Sequence, residues 1–188
     1  MKKSKFFLLL GMAFLALSSF SFPDGKLVST NTHIKFFSHT AVEDIEANNN
    51  TAVSTINTES GDVVFSVPMQ GFEFEIPLMQ KHFNGGKFLD TKKFPKGKFK
   101  GKITNLDEID FTKDGTYNAM VKGDMTIKEK TKPVSQKGTI TVKDGKIMVM
   151  SKFNLTLADY DVTFAKGKPS KNIAKDIEIT VHSEYKSE

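Results

Sequence analysis

The sequence predicts an all-β protein of eight to ten antiparallel strands with hardly any helix. Three observations predict it. Apolar and polar residues alternate with period two through most of the chain beyond residue 60, the pattern of strands buried on one side. Asp114-Gly115 and Asp144-Gly145 each separate two alternating runs, and Asp-Gly in that setting is a strong hairpin signal. Pro68 and Pro77 fall at the margins of runs, where a missing ladder donor is tolerated. Half-apolar strands must hide one face and pair or cover their edges. A sandwich or a closed barrel does both, and periodicity does not separate the two.

The elements follow in order. Leu27 to Ser38 opens the domain as a strand ending in the cluster Ile34, Phe36, Phe37. Ala41–Ala47 reads equally as a short strand or a helical turn, and the run Asn48–Asn50 ends it. Thr51–Thr58, rich in β-branched residues, is a separate strand, and Glu59-Ser60-Gly61-Asp62 a turn. Val63, Phe65, Val67 and Met69 then share one face, as do Phe72, Phe74, Ile76 and Leu78, with Glu73 and Glu75 opposite. Met79–Asn84 is a helical turn stopped by Gly85-Gly86. From Gly97 a strand resumes, with Lys98, Lys100 and Lys102 on one parity and Phe99 and Ile103 on the other. Hairpins pair Ile103–Thr112 with Thr116–Ile127 and Val134–Val142 with Ile147–Leu157. Gly167–Asn172 is a loop, and Ile177, Ile179 and Val181 belong to the last strand.

Residues 1–21 stand apart. A basic start (Lys2, Lys3, Lys5), an apolar run Phe6–Leu17 and small residues at Ser18, Ser19 and Ser21 describe a cleaved export signal, with cleavage after Ser18 or Ser21. The run falls short of the roughly 20 apolar residues a membrane anchor needs. Residues 22–188 then form a single domain, exported to a periplasm or secreted. The full chain carries 27 basic and 22 acidic residues, or +5. The signal holds three of the lysines and no acid, so residues 22–188 carry 24 against 22, or +2. A net-charge case for nucleic acid fails on that count. There is no cysteine, so burial must supply the stability.

Chemistry-bearing motifs are sparse. The four histidines, His33, His39, His82 and His182, show no His-x-x-x-His pair and flank no nucleophile motif. Gly97–Lys102 lacks the spacing of a phosphate-cradling loop. Lys92–Lys102, basic with interleaved Phe, reads as a nucleic-acid platform, a head-group contact or a solvated strand face. The parity of its lysines favours the last. No metal, cofactor or catalytic set is expected; a hydrolase or isomerase would rest only on scattered His and acids.

The most specific stretch lies mid-chain. Phe88-Leu89-Asp90, then Phe94-Pro95, then Phe99 at fixed three-residue gaps follow Lys81-His82-Phe83. Gly123-Asp124-Met125-Thr126-Ile127 precedes Thr131-Lys132-Pro133-Val134. On these segments, roughly from Thr32 to Tyr185, the chain resembles the YceI-like family of exported proteins. It departs from the family pattern at Gln80-Lys81 (usually Arg-Asp), at Glu129-Lys130 (usually Gly-Val) and near Leu157–Tyr160, where an Arg is missing, as a divergent branch would. The resemblance implies a lipocalin-like, extended antiparallel β-barrel of about eight strands with one or two short helical turns. It implies an interior that binds a polyisoprenoid such as an isoprenoid quinone or a polyprenol, and brings no catalytic residues.

The inward faces are Phe65, Val67, Phe72, Phe74, Phe99, Ile103, Tyr117, Met125, Val149, Phe153, Ile177 and Ile179. By residue type they suit a solid core, and by the resemblance they line a tunnel for an isoprenoid or other long-chain lipid. Met79–Pro95 crosses its mouth, with Phe83, Phe88, Leu89 and Phe94 closing over it and His82 the best placed for a polar contact. The alternative is a filled barrel serving as a surface or stress-related interaction protein. Transient membrane-surface contact accords with the first reading.

Overall fold

The computed structural model describes residues 25–163 and 171–186. The export signal expected over residues 1–21 and most of the Gly167–Asn172 loop lie outside these residues. The described chain runs β1 (Lys26–His39), β2 (Asp44–Asn57), β3 (Asp62–Pro68), β4 (Phe72–Phe74), α1 (Pro77–Asn84), β5 (Lys96–Ile103), β6 (Gly115–Ile127), β7 (Lys130–Lys143), β8 (Lys146–Thr156) and β9 (Asp176–Lys186). All pairings are antiparallel, in the order β1-β9-β8-β7-β6-β5-β3-β2, and β1 pairs with β2 to close the ring. Eight strands therefore form a barrel, with no free edge at the ring's ends. β4 continues the path of β3 after a 3-10 turn at Met69–Gly71 and pairs with Ala47–Asn49 of β2.

Alternation sets the inside. Ile34 and Phe36 of β1, Ala47 and Ala52 of β2, and Ile177 and Val181 of β9 are buried. Lys96, Lys98, Lys100 and Lys102 of β5 are exposed, as their parity requires, and Lys102 pairs across the strand with Asp62. Gly101 of β5 and Gly123 of β6 are cross-strand partners whose backbones lie close together. A Cβ at Gly123 would fall 2.3 Å from the Gly101 Cα, so only glycine admits this close approach. At Asp144 and Gly145 both φ angles are positive (50° and 73°), giving the tight β7–β8 hairpin that Asp-Gly encodes.

Four local expectations are corrected. The asparagine run does not end an element: β2 passes straight through it. Fully buried Asn49 explains this, because its side chain donates to the Pro68 carbonyl (2.8 Å) and accepts from the Thr51 N–H (2.8 Å) where β2 changes partner from β3 to β4. The Phe72–Leu78 strand stops at Phe74, since Pro77 takes the first position of α1, where its fixed φ suits a helix and no donor is lost. Ile103–Thr112 is not a strand beyond Ile103, and Asp114-Gly115 is not a hairpin. The Asn105 side chain bonds the Asn118 carbonyl and the Met120 N–H, drawing the chain out of the ladder there. The resulting 104–114 connection folds over one end of the barrel and buries Ile109 and Phe111. Beyond these corrections, the β6–β7 hairpin turns on Lys128 and Glu129, both with positive φ.

Two apolar clusters fill the interior unequally. One gathers Leu27, Ile56, Val63, Ile103, Ile109, Phe111, Val142, Ile147 and Tyr185 and closes one end. At its margin on β1, β2 and β9 five buried hydroxyls satisfy one another. The Tyr185–Ser54 pair is 2.6 Å apart, and Thr32 bonds Ser29, Ser54 and Ser183 at 3.1 Å. Burial pushes the Tyr185 phenol up to about 12, although its hydroxyl partners oppose the shift. The second cluster, nearer α1, is rich in Phe and surrounds a cavity.

Candidate ligand cavity

The cavity measures about 690 Å3. That lies within the roughly 300–1,000 Å3 range of small-molecule sites. Its floor is Ile56, Val63, Ile103, Ala119 and Ile140, the upper layer of the filled end. Its walls are apolar, and the charged residues among its lining sit at its edges. Glu43 and His82 stand at the mouth, while Lys98 and Lys137 are exposed on the outward parity of their strands.

The mouth is crossed by α1 and the loop that follows it. Met79 and Phe83, one turn apart, turn inward, while Leu78, Lys81 and His82 face solvent. Phe83 is the hub of the closure: its ring lies 5.0 Å from Phe74, 5.5 Å from Phe72, 5.7 Å from Phe36 and 6.1 Å from Phe88. Aromatic contacts at such separations add to area burial. The loop is held compactly by Gly85, whose carbonyl accepts from the Phe88 and Asp90 N–H groups (both 3.0 Å). Buried Thr91 adds a bond from its hydroxyl to the Asn84 side chain (2.8 Å). This geometry drives Phe88 and Leu89 into the cavity. From the β6–β7 turn the Lys128 ammonium donates to the Phe88 carbonyl (2.7 Å) and the Asp161 carbonyl (3.1 Å), tying lid to barrel. Lys130 pairs with the Asp161 carboxylate (2.9 Å), which holds that carboxyl below its ordinary range.

The structure brings most of the sequence-derived residues to this cavity. Phe65, Val67, Phe72, Phe74, Phe99, Ile103, Met125, Val149, Phe153, Ile177 and Ile179 line it, as do His82, Phe83, Phe88 and Leu89 at the lid. Two residues fall elsewhere. Tyr117 packs at the filled end, where its hydroxyl donates to the Lys113 carbonyl (2.9 Å), because the 104–114 connection covers that end. Phe94 is half-buried beside the lid under the Lys93 ammonium, 5.0 Å from its ring centre, and does not reach the interior. Sequence reasoning missed Ile34, Phe36, Ile45, Met69 and Met79 as lining residues. The signal for Ile34 and Phe36 was their shared parity with Thr32 and Ser38, which adjacent Phe37 obscures. Ile76 and Leu78 line the mouth yet stay 48 % and 59 % exposed, an apolar lip rather than a core face. Among the described residues no group of three His, Asp or Glu could hold a metal ion.

A closed antiparallel barrel, plugged at one end and enclosing an apolar cavity under a helical lid at the other, defines a lipocalin-like architecture. The chain belongs to the YceI-like domain family, whose model matches residues 26–185. It is similar in structure to BcnA of Burkholderia cenocepacia (TM-score 0.67, 16 % identity, covering 81 % of this chain and 95 % of that one). It is also similar to a polyisoprenoid binding domain from Saccharophagus degradans implicated in plant cell wall breakdown (TM-score 0.72, 9 % identity, covering 88 % and 100 %). A third likeness is to the YCEI protein of Campylobacter jejuni (TM-score 0.56, 19 % identity, covering 73 % and 81 %). At these identities the likeness is one of fold. No curated protein matches the chain significantly.

Proposed function

We propose that this protein is an exported, non-catalytic carrier or reservoir that sequesters a polyisoprenoid, of quinone or polyprenol type, or another long apolar chain inside the barrel. One observation carries the reading: the cavity of about 690 Å3 has a deep wall of Phe, Met and aliphatic side chains. An apolar cavity of only about 150 Å3 stays dry and takes up benzene. Burial of a chain in the larger space is favourable at roughly 25 cal/mol per Å2 of apolar area. Phe and Met suit an irregular apolar occupant. The name of the Saccharophagus degradans domain, a polyisoprenoid binding domain, supports isoprenoid as the class of cargo. The exposed lip of Ile76 and Leu78 supports transient contact with a membrane surface, from which such cargo would come. Among the described residues the lining offers no activated nucleophile or carboxylate pair: Glu43 accepts a bond from Asn172 (2.9 Å), and His82 stands exposed. Mass spectrometry of organic extracts from protein purified without detergent tests the proposal. A co-purifying isoprenoid or long-chain lipid is the expected result; clean extracts, together with no uptake of added polyprenol, would refute it.

A further inference from the structure

The barrel wall is not sealed along its whole height. β7 and β8 pair only from Gly138↔Ser151 to Lys143↔Lys146, the stretch next to their hairpin. Beyond that point both strands continue, β7 back to Lys130 and β8 on to Thr156, but each keeps only its other neighbour, β6 or β9. The two strands part, leaving a side window. Pairing at Gly138 and Ser151 closes it below. The turn at Leu157–Tyr160 and Asp161 closes it above, tied to the β6–β7 turn by Lys128 and Lys130. The cavity reaches this window, since Gln136, Lys137 and Gly138 on one side and Ser151 and Phe153 on the other are among its lining residues.

An unpaired strand edge can also recruit a foreign strand. Here β7 carries Lys130, Lys132, Pro133 and Lys137 along the parted segment, and lysine and proline are the residues that discourage strand addition. The window's own chemistry suits something else. The Gln136 side chain faces the cavity, half-buried, and its amide makes no hydrogen bond among the described residues, so it can both donate and accept. The Lys137 ammonium stands outside with no ion pair among the described residues. The mouth under the lid is occupied differently. The Ser38 hydroxyl there accepts from the Ala174 N–H (2.9 Å), and the Glu43 carboxylate would repel an anion.

We infer that the side window between β7 and β8 holds the polar end of the bound chain, an oxygen-bearing group such as a phosphate, while the apolar tail occupies the cavity. This rests on the reading that the cavity takes a long apolar chain. A polar end left in the apolar interior without partners would be costly. The window is a place along the wall where an unengaged amide faces the cavity and an unpaired cation stands at the outer rim.

Geranylgeraniol and geranylgeranyl phosphate, which share a tail and differ at the end, are the probes. Lys137→Glu should weaken the phosphate about tenfold more than the alcohol, as loss of a charge-assisted contact does. Lys81→Glu, on the outer face of the lid, should not discriminate between them. A discriminating loss that follows Lys81→Glu rather than Lys137→Glu would overturn the assignment. Because the chain has no cysteine, Gln136→Cys gives a second readout that survives any fault in the first. Its reaction with a water-soluble maleimide should slow severalfold when either probe is bound, and an unchanged rate on a loaded protein would also overturn the assignment. Wild-type protein that takes up neither probe would instead refute the carrier reading on which it stands.

Discussion

The two ends of the barrel are made from the same alternating strands and come out as opposites. At the plugged end, the 104–114 connection folds inward, and Ile109 and Phe111 fill the space between Leu27, Val142, Ile147 and Tyr185. At the other end, the connection between β4 and β5 arches across instead. Phe83, Phe88 and Leu89 seal its underside and leave about 690 Å3 beneath. The strands supply a wall; the two long connections decide what it encloses. Stability and binding should therefore separate along the barrel axis, and substitutions can break that separation.

The largest effect expected is on binding. Phe74→Arg places a charge against the Phe36 and Phe83 rings, 5.5 and 5.0 Å away, and should abolish uptake of geranylgeraniol by a folded protein. Uptake that persists would mean the cargo lies elsewhere. Phe111→Ala tests the opposite end. It should lower unfolding free energy by about 3–5 kcal/mol in denaturant titrations while sparing uptake. Phe99→Ala, at a half-buried ring already bordering the cavity, should cost less than half as much. Equal costs would erase the contrast between the ends.

The hydroxyl layer at the plugged end gives a pH signature. The Tyr185 phenol is raised from 10.0 to about 12 by burial, so the folded state keeps its proton after the unfolded chain has lost it. Its contribution is fully present below pH 10 and is lost as pH rises through about 12, roughly 2–3 kcal/mol in all. Tyr185→Phe should remove that alkaline slope in denaturation curves measured across the interval; a slope that survives would assign it to another group.

Smaller effects attach to the lid. Lys128→Met cuts the ties to the Phe88 and Asp161 carbonyls and should speed probe release in stopped-flow measurements by about tenfold. Release at the wild-type rate would show that the aromatic hub alone holds the lid. Glu129 sits at φ 64°, a left-handed conformation that costs a side-chain-bearing residue about 1 kcal/mol. Glu129→Gly should raise the melting temperature slightly, and a decrease would mean that backbone relief is outweighed there.

Much of this was legible in the residues. Alternation in Val63–Val67 and from Gly97 to Ile103 gave both the strands and their inward faces, because a two-residue period admits only two choices. The features that stayed hidden depend on single side chains acting across the fold. Asn48–Asn50 looks like a terminator until Asn49 is seen bonding Pro68 at the change of strand partner. Ile109 and Phe111 share a strand's spacing, yet Asn105 has already taken the chain out of the ladder. Phe72, Phe74, Ile76 and Leu78 are one face in sequence, but Pro77 starts a helix and converts the last two into an exposed lip. The β7–β8 window could not be read from pattern at all. Both strands alternate normally, and only the register shows where they part.

The central claim is that the half of the barrel under the lid exists to be filled by an apolar chain. Calorimetric titration of the purified, delipidated protein with geranylgeraniol at several temperatures tests it most directly. The account predicts saturable one-to-one uptake with a negative heat-capacity change, the signature of apolar burial. No saturable uptake, or uptake without that change and undiminished by Phe74→Arg, would contradict it.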